Sequence, residues 1–319
     1  MNAELLEVRD LRVFYWSDRG PIRAVDGVTF DIMRGERFGI VGESGCGKST
    51  MAMALLRLLR SPGRIEGGQV LLGGIDLATL GEREMRRQRW RAISLIPQGA
   101  MNALNPTMTI YNQTADAIWA HGDYIHGGSS LRSRVDALLG TVGLSTGVAS
   151  MYPHELSGGM KQRVCIAMAI ALQPELIVAD EPTSALDVIV QRVVAQTLVR
   201  VVEELGASLL LIGHDMGLQA QLVGRLAVMY AGKIVEVGSV KEVFTEALHP
   251  YTRLLIASLP SLRERHVLRG IPGLPPSLLA APANCRFHPR CPTTMKVCQQ
   301  EEPALREVSP GRWVACHLY

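Results

Sequence analysis

The stretch that decides the fold reads Gly42-Glu43-Ser44-Gly45-Cys46-Gly47-Lys48-Ser49-Thr50 in a chain of 319 residues. It matches the phosphate-binding pattern G-x-x-x-x-G-K-[ST] at each constrained position. Residues 38–41 before it predict a short buried strand, and residues 51–59 after it predict an apolar helix. A glycine-rich turn in this setting points successive backbone N–H groups into one concavity, because glycine tolerates the φ values required.

The chemistry of this loop suits a triphosphate. The helix beyond it adds unsatisfied N–H donors and the positive end of its dipole. Lys48 brings a positive charge for the β and γ phosphates, and the Ser49 hydroxyl is a suitable Mg²⁺ ligand. The alternative is a plain glycine-rich turn with an exposed lysine. Because strand and helix both flank the motif, we predict that residues 42–50 bind a nucleoside triphosphate.

Composition narrows the class of protein. The length allows one large domain or two modest ones. Apolar residues make up 47% of the chain, and the net charge of +3 is too small to indicate a nucleic-acid partner. No apolar run approaches the roughly 18 residues of a membrane span. Charges near the N-terminus argue against a signal peptide, so we expect a cytoplasmic protein whose six cysteines are free thiols or metal ligands.

Strands and helices alternate along most of the chain, which predicts a doubly wound α/β fold around a parallel sheet. Residues 7–15 and 27–32 alternate as strands of an antiparallel β subdomain, and about residues 100–173 form a helical subdomain. The predicted nucleotide-binding domain therefore spans residues 1–259. Beyond it, residues 260–319 are rich in proline and predict a small, irregular, cysteine-rich module.

Two acids follow the buried strand predicted over residues 176–179. At the carboxyl edge of a parallel strand, Asp180 would join the Mg²⁺ shell, and Glu181 would polarise the attacking water. A buried strand that happens to end in two acids is the alternative. The presence of Lys48 in the phosphate loop makes that alternative the weaker one.

A third motif reads Leu156-Ser157-Gly158-Gly159-Met160-Lys161-Gln162-Arg163. Ser157 alone would be explained as a helix N-cap. The glycine pair would not, because glycine in a first turn weakens a helix, and close approach of a phosphate explains it better.

His214 follows another buried strand, predicted over residues 208–212. A satisfied core histidine is the alternative reading. The adjoining Asp215, and a strand placed next to the acidic one, favour contact with the γ-phosphate instead.

Together these motifs resemble the nucleotide-binding subunit of an ATP-binding cassette (ABC) transporter. Residues 42–50 match its Walker A loop, residues 176–181 its Walker B strand with the catalytic glutamate, and residues 156–160 its signature. The resemblance covers about residues 5–245 and implies an ATPase that uses ATP and Mg²⁺. Met160 stands where the commonest signature has glutamine, and methionine there is usual in the peptide-importer branch.

The resemblance also implies roles for residues outside these three motifs. Gln98 is similar to the Q-loop glutamine, a Mg²⁺ ligand beside Ser49 and Asp180, and His214 to the switch histidine. Tyr15 lies where the family has an aromatic that stacks on adenine, although Phe14 and Trp16 adjoin it. The remaining assignments are the D-loop, Ser184-Ala185-Leu186-Asp187, and the contacts to a partner's ATP, Ser157, Gly158, Gly159, Met160 and Gln162.

The family implies an assembly rather than a single working chain. ATP would lie between the phosphate loop of one subunit and the signature of a second ATPase subunit, in a heterodimer. Two membrane permeases and an extracytoplasmic peptide-binding protein complete the implied complex. The chain would then sit peripherally on the cytoplasmic face of the cell membrane, with no nucleic-acid partner.

Four of the six cysteines lie near the C-terminus, as Cys285, Cys291, Cys298 and Cys316, with the spacing C-x5-C-x6-C-x17-C. Incidental thiols, a structural zinc and an iron–sulfur cluster are the competing interpretations. Structural zinc sites usually contain cysteine pairs separated by two to four residues, whereas iron–sulfur clusters accept more varied spacing. The spacing therefore favours the cluster over zinc.

Residues 249–252, 273–276 and 285–292 look like the C-terminal extension of oligopeptide and dipeptide importer ATPases. The four cysteines are similar to the ligands of a [4Fe–4S] cluster in some dipeptide-type members. We therefore expect an ATPase that powers import of di- or oligopeptides. Nickel or antimicrobial peptides are the alternative cargo, because this subunit does not touch the substrate.

Two rival functions belong to other classes. A cassette ATPase acting on DNA or ribosomes would usually carry a coiled-coil insertion or a second cassette, and this chain shows neither. A redox-sensing regulator would not need to hydrolyse ATP. Glu181 and His214 are both intact, which argues that this chain has kept hydrolysis.

Overall fold

The computed structural model describes residues 3–99, 103–122, 130–184, 186–259 and 270–319. The chain divides into two compact units. The first unit comprises Met1–Ala3, Met33–Glu36 and Leu80–Leu210, and the second comprises Glu4–Ile32, Arg37–Thr79 and Leu211–Tyr319. The domain boundary predicted near residue 260 and the D-loop residue Ala185 lie outside the described residues.

The strands and helices follow in an order close to the one predicted. The strands are β1 (Glu4–Ser17), β2 (Gly20–Met33), β3 (Arg37–Val41), β4 (Gly63–Leu72), β5 (Ile75–Asp76), β6 (Ile93–Ile96), β7 (Leu176–Asp180), β8 (Ser208–Gly213), β9 (Arg225–Tyr230), β10 (Lys233–Ser239), β11 (Arg306–Ser309) and β12 (Arg312–Val314). The helices are α1 (Lys48–Leu55), α2 (Glu82–Gln88), α3 (Ile110–Trp119), α4 (Leu131–Thr141), α5 (Gly158–Ala169), α6 (Val188–Leu205), α7 (Met216–Leu222), α8 (Val240–Thr245) and α9 (Pro250–Ala257).

The first unit places helices around a parallel pair of strands. Strands β6 and β7 pair in parallel, with Ile93 opposite Leu176 and Ile96 opposite Ala179. Every residue of β7 is buried, which explains its unbroken apolar run. Helix α6 buries one apolar face and ends where Gly206 adopts a left-handed conformation.

The second unit contains two groups of strands. The antiparallel group has the order β2-β1-β4-β5, and the other has the order β11-β12-β10-β9-β3, in which β3 is parallel to β9. Strand β4 begins at Gly63 and pairs with β1 as far as Tyr15.

The C-terminal segment adds regular structure to the second unit. The sequence predicts an irregular module, and the segment is largely irregular, but β11 and β12 form a hairpin. Strand β12 pairs with β10, so that Val314 lies opposite Glu236. The segment is therefore joined to the same strand group that contains β3.

The helices of both units are short or mixed in polarity. Within the described ranges, none has both the length and the apolar character needed to cross a bilayer.

Candidate nucleotide-binding site

The phosphate loop lies between the end of β3 and the start of α1, as predicted. Gly45 and Gly47 have φ values of 77° and 108°, which side-chain-bearing residues rarely adopt. A Cβ on Gly47 would also collide with the carbonyl oxygen of Ala24. Gly47 is the N-cap of α1, so the helix begins at Lys48 and its first N–H groups are directed at the loop.

Lys48 is buried inside this loop. Its Nζ donates to the carbonyl oxygens of Gly42 at 2.8 Å and Glu43 at 3.0 Å. The nearby Cys46 Sγ lies 3.7 Å from the same nitrogen. Burial raises the pKa of Cys46, so this thiol stays neutral beside the ammonium group. The loop thus holds one fixed positive charge, as phosphate binding requires.

Glu43 is held by contacts within the second unit, through both its backbone and its side chain. Its N–H donates to the Tyr251 hydroxyl at 2.9 Å. Burial raises the pKa of Tyr251, so the hydroxyl remains protonated. The Glu43 carboxylate pairs with Arg290. Neither Tyr251 nor Arg290 was predicted as a site residue.

Tyr15 is the predicted aromatic that contacts α1. Its hydroxyl lies 3.5 Å from the Thr50 hydroxyl. Its ring packs where Gly63 has no side chain, since a Cβ there would come within 2.5 Å of the ring. Phe14 instead lies under the Arg23 guanidinium, and Trp16 donates to Glu66.

Gln98 and Glu181 meet in the first unit. Because β6 and β7 are parallel, their carboxyl ends lie together, and these two residues follow those ends closely. The Gln98 Nε2 donates to the Glu181 carboxylate at 2.9 Å. Asp180, the last residue of β7, is 1% exposed. Sequence analysis singled out both residues but did not predict this hydrogen bond.

Glu181 has a left-handed backbone conformation, with φ of 45°. Side-chain-bearing residues in this region are uncommon, and such conformations concentrate at functional sites. The backbone turns sharply here, since the Ser184 N–H donates to the Glu181 carbonyl at 3.1 Å. The turn separates the direction of the Glu181 side chain from the regular alternation of β7.

The signature residues form the start of α5. The exposed Ser157 is its N-cap and accepts from the Met160 N–H at 3.3 Å. Gly159 is buried, and a Cβ there would lie 2.5 Å from Val190 Cγ1 on α6. Close helix packing is therefore a second reason for this glycine, in addition to the predicted approach of a phosphate. Gln162 is 4% exposed, so most of its surface is covered within the chain.

Two predicted site segments also carry helix caps. Asp187 accepts from the N–H groups of Ile189 and Val190 and begins α6. Asp215, next to the exposed His214, accepts from the Leu218 N–H at 2.9 Å and begins α7. Each aspartate therefore has a structural role as a helix N-cap, and aspartate is one of the residues preferred at that position.

The predicted Mg²⁺ ligands are Ser49, Gln98 and Asp180. They offer a hydroxyl, an amide oxygen and a carboxylate, and hard oxygen donors of these kinds are the ligands that Mg²⁺ prefers. The donor set therefore fits the ion.

The four C-terminal cysteines are free thiols of the same segment. Burial, with smaller contributions from Cys298 and Cys316, raises the pKa of Cys285 to about 11. Among the described residues, however, no three cysteine, histidine or acidic side chains converge closely enough to hold a metal ion. The predicted convergence of four sulfurs around a cluster is thus not found in this structure.

The segment between the first two of these cysteines is anchored by arginines that sequence patterns did not single out. Arg286 pairs with Asp26 and donates to the carbonyl oxygen of Ala231. Phe287 packs its ring against Tyr230 and Tyr251, at centroid distances of 5.2 and 5.4 Å. No spacing rule connects these residues with their distant partners, so the only available indication was two arginines in a short cysteine-flanked segment.

A phosphate loop between strand and helix, with acids at the end of a parallel strand, defines a P-loop nucleoside triphosphatase. Comparison with known proteins defines it further. Residues 25–184 match the family "ABC transporter", and residues 235–298 match "Oligopeptide/dipeptide transporter, C-terminal region". The chain is 43% identical to the dipeptide transport ATP-binding protein DppD of Caldanaerobacter subterraneus subsp. tengcongensis, over 99% of this chain and 97% of that protein.

Other relatives agree. The DppD protein of Escherichia coli is 40% identical over 98% of this chain and 96% of its own length. Among solved structures, the dimeric bacterial ABC transporter cassette MJ0796 is similar, with a TM-score of 0.66 and 28% identity. The match covers 74% of this chain and 99% of that one. The chain therefore belongs to the ABC transporter family, as an ATP-binding subunit of the dipeptide/oligopeptide type.

These findings confirm three predictions. The fold is the α/β fold of the ABC ATPases with an antiparallel β subdomain. The chain is an ATPase, and its class is that of the dipeptide/oligopeptide ABC transporters. The iron–sulfur extension, by contrast, has no support from these comparisons.

Proposed function

We propose that this chain hydrolyses ATP to power the import of di- or oligopeptides across a membrane to which it binds peripherally, on the cytoplasmic face. The observation that carries the proposal is the match of residues 235–298 to the oligopeptide/dipeptide transporter C-terminal region, in a chain whose nucleotide motifs are intact. Two of its relatives are named as dipeptide transport ATP-binding proteins, which supports the same cargo.

The roles of the site residues follow from their chemistry. Residues 42–50 bind the triphosphate through backbone N–H groups and the Lys48 ammonium. Ser49, Gln98 and Asp180 carry the oxygen atoms proposed as Mg²⁺ ligands, and the bound ion supplies neutralisation of phosphate charge. Glu181 accepts the proton of the attacking water, and its hydrogen bond with Gln98 orients the carboxylate. Tyr15 stacks on the adenine, and His214 contacts the γ-phosphate.

A second ATPase subunit is the first proposed partner. Ser157 is exposed at the start of α5, where its helix N-terminus can meet a phosphate of another subunit. Nearby on α6, Val188 and Ile189 are 80% and 79% exposed, which is unusual for side chains of this kind. A partner surface would cover them. The related cassette MJ0796 is described as dimeric.

Two permeases and an extracytoplasmic peptide-binding protein are the other proposed partners. The experiment is to purify the chain with its co-expressed permeases and second ATPase, reconstitute them in liposomes, and measure peptide uptake. Uptake should require ATP and should fail with Lys48→Ala. Transport of nickel without peptide by the same complex would contradict the proposed cargo, and uptake by Lys48→Ala at the wild-type rate would contradict the proposed site.

We further propose that Cys285, Cys291, Cys298 and Cys316 bind a [4Fe–4S] cluster. The support is the set of four free thiols in one segment, which is the donor set that such a cluster needs. Ligation requires the four sulfurs to come closer together than they lie in this structure. Metal analysis of anaerobically purified protein should find about four irons per chain. One zinc without iron would make the site a zinc module, and four free thiols without metal would contradict both.

A further inference from the structure

A buried arginine from the cysteine-flanked segment, Arg290, forms an ion pair with Glu43 of the phosphate loop. Arg290 Nη1 lies 2.7 Å from Glu43 Oε2, and Arg290 Nη2 lies 2.9 Å from Glu43 Oε1. The arginine side chain is 4% exposed and that of Glu43 is 25% exposed. Two parallel hydrogen bonds between planar groups define orientation as well as distance. The carboxylate is therefore held in one position relative to the arginine.

The guanidinium group is itself held by the surrounding backbone. Nε donates to the Pro272 carbonyl at 2.9 Å, Nη2 to the Ile271 carbonyl at 3.3 Å, and Nη1 to the Tyr230 hydroxyl at 3.2 Å. With the two bonds to Glu43, these occupy the five N–H donors that a guanidinium has. The position of the Glu43 carboxylate is thus fixed, through Arg290, relative to the backbone of the C-terminal segment.

Glu43 is also connected to the lysine of the loop. Its carbonyl oxygen accepts from Lys48 Nζ at 3.0 Å, and its N–H donates to Tyr251 at 2.9 Å. The backbone on both sides of the Glu43 Cα is therefore tied, and the side chain is tied by Arg290. A loop that is already ordered loses less conformational entropy when it binds a ligand, so restraints on Glu43 favour binding.

We infer that Arg290 is a positioning residue for the phosphate loop and sets the affinity for ATP through Glu43. This inference rests on the proposed role of residues 42–50 in binding the triphosphate. The C-terminal segment then has a direct function in the nucleotide site, in addition to any part in assembly.

A second buried arginine of the C-terminal segment, Arg312, provides the control for Arg290. Arg312 is 5% exposed, pairs with Glu236 and donates to the carbonyl oxygen of Glu246. Its described partners lie on β10 and at the end of α8, not in the phosphate loop. Arg312→Gln should therefore destabilise the second unit as Arg290→Gln does, but without releasing Glu43.

The experiment measures binding of a non-hydrolysable ATP analogue with Mg²⁺ to the full chain, together with its melting temperature. We expect the Kd of Arg290→Gln to rise at least tenfold, and that of Arg312→Gln to stay within twofold of the wild type, while both variants melt earlier. Arg290→Lys should be intermediate, because an ammonium group cannot make the planar pair. Equal binding by Arg290→Gln and wild type, or equal losses in Arg290→Gln and Arg312→Gln, would overturn the inference.

A double-mutant cycle tests whether Arg290 acts through Glu43. Glu43→Gln alone should weaken binding severalfold, and adding Arg290→Gln should change Kd less than twofold further. Multiplicative losses would overturn the inference, and Glu43→Gln keeps the test available if Arg290→Gln does not fold. Lys48→Ala separates the two proposals. If it binds the analogue like the wild type, the proposed site fails, whatever Arg290 does.

Discussion

Single residues show where this chain departs from regular backbone geometry. Glu181 follows a buried strand and has a left-handed conformation, although no glycine is present to make it easy. Such a conformation costs on the order of 1 kcal/mol or more, so the surrounding contacts must maintain it. One of those contacts is the hydrogen bond from Gln98. The carboxylate is therefore oriented before any nucleotide is bound.

The first prediction concerns this carboxylate. Glu181→Gln should lower ATP turnover in the assembled complex by at least about a hundredfold, because a general base typically contributes that much or more. Analogue binding should remain near the wild-type affinity, since Lys48 and the loop are untouched. Turnover comes from phosphate release and affinity from analogue titration. Near-normal turnover would contradict the role given to Glu181.

At the scale of elements, α5 and α6 of the first unit pack closely at Gly159, a residue for which the sequence predicts the approach of a phosphate. Gly159 on α5 leaves room for Val190 on α6. Valine is stiff about χ1 and cannot move its methyl group aside easily. The glycine therefore serves helix packing even if it also faces a nucleotide.

Gly159→Ala should lower the free energy of unfolding by about 1 kcal/mol, since overpacking outweighs the gain in helix propensity. Adding Val190→Ala should restore part of this loss, which thermal melts of the four members of the cycle would measure. Gly140→Ala in α4 is the control, because nothing lies within 4 Å of a Cβ there. That variant should be neutral or stabilising. Failure of Val190→Ala to compensate would contradict the packing role of Gly159.

Helix α9 begins with a buried histidine. His249 is 2% exposed, and its Nδ1 accepts from the Tyr251 N–H at 3.0 Å. The carboxylate of Glu236 accepts from the His249 N–H at 2.9 Å, and Arg312 pairs with that carboxylate. Burial, together with the charge of Arg253, lowers the pKa of His249 to about 3.

This histidine predicts acid sensitivity. The pKa of His249 is lower in the folded chain than the ordinary 6.5, so the unfolded chain binds the proton first as pH falls. The stabilisation is complete above about pH 6.5 and declines toward the folded pKa. Between pH 7 and pH 5 the loss is about 2 kcal/mol. His249→Asn keeps an N-cap acceptor without a titrating ring, and it should show a smaller loss in urea unfolding. An unchanged pH dependence would contradict this assignment.

At the scale of the whole molecule, the C-terminal segment and the phosphate loop belong to the same compact unit. The ring of Phe287 and the side chains of Arg286 and Arg290 attach the cysteine-flanked segment to β9, α9 and the loop. The signature of α5, in contrast, is exposed at Ser157. The contacts of Glu43 thus lie within one unit of the chain, whereas Ser157 is exposed, as the proposed contact with a second ATPase subunit requires.

Turnover by the isolated chain should therefore be low and should rise with protein concentration, because in the proposed assembly each site needs the signature of a second subunit. Ser157→Asp retains an N-cap acceptor but places a negative charge at the helix N-terminus, so it should suppress turnover without weakening analogue binding. Ser157→Asn, which is neutral, is the matched control and should retain more activity. Concentration-independent turnover by the wild type would show that one chain suffices.

The sequence by itself determined the local machinery of this protein. The phosphate loop, the strand that ends at Asp180 and the N-cap at Ser157 depend on residues close together in the chain, so spacing and backbone geometry predict them. The predicted helix and strand limits differ from the structure by only a few residues for most of these elements.

Only the tertiary structure decided which distant residues support that machinery. Arg290 and Glu43 are 247 positions apart, and no local pattern in either segment names the other. Their contact exists because β9, α9 and the cysteine-flanked segment pack around Tyr230, Tyr251 and Phe287. The four cysteines show the converse: their spacing suggests a common metal, but convergence depends on the packing of the backbone between them. Contacts between distant segments arise from packing, which residue spacing does not encode.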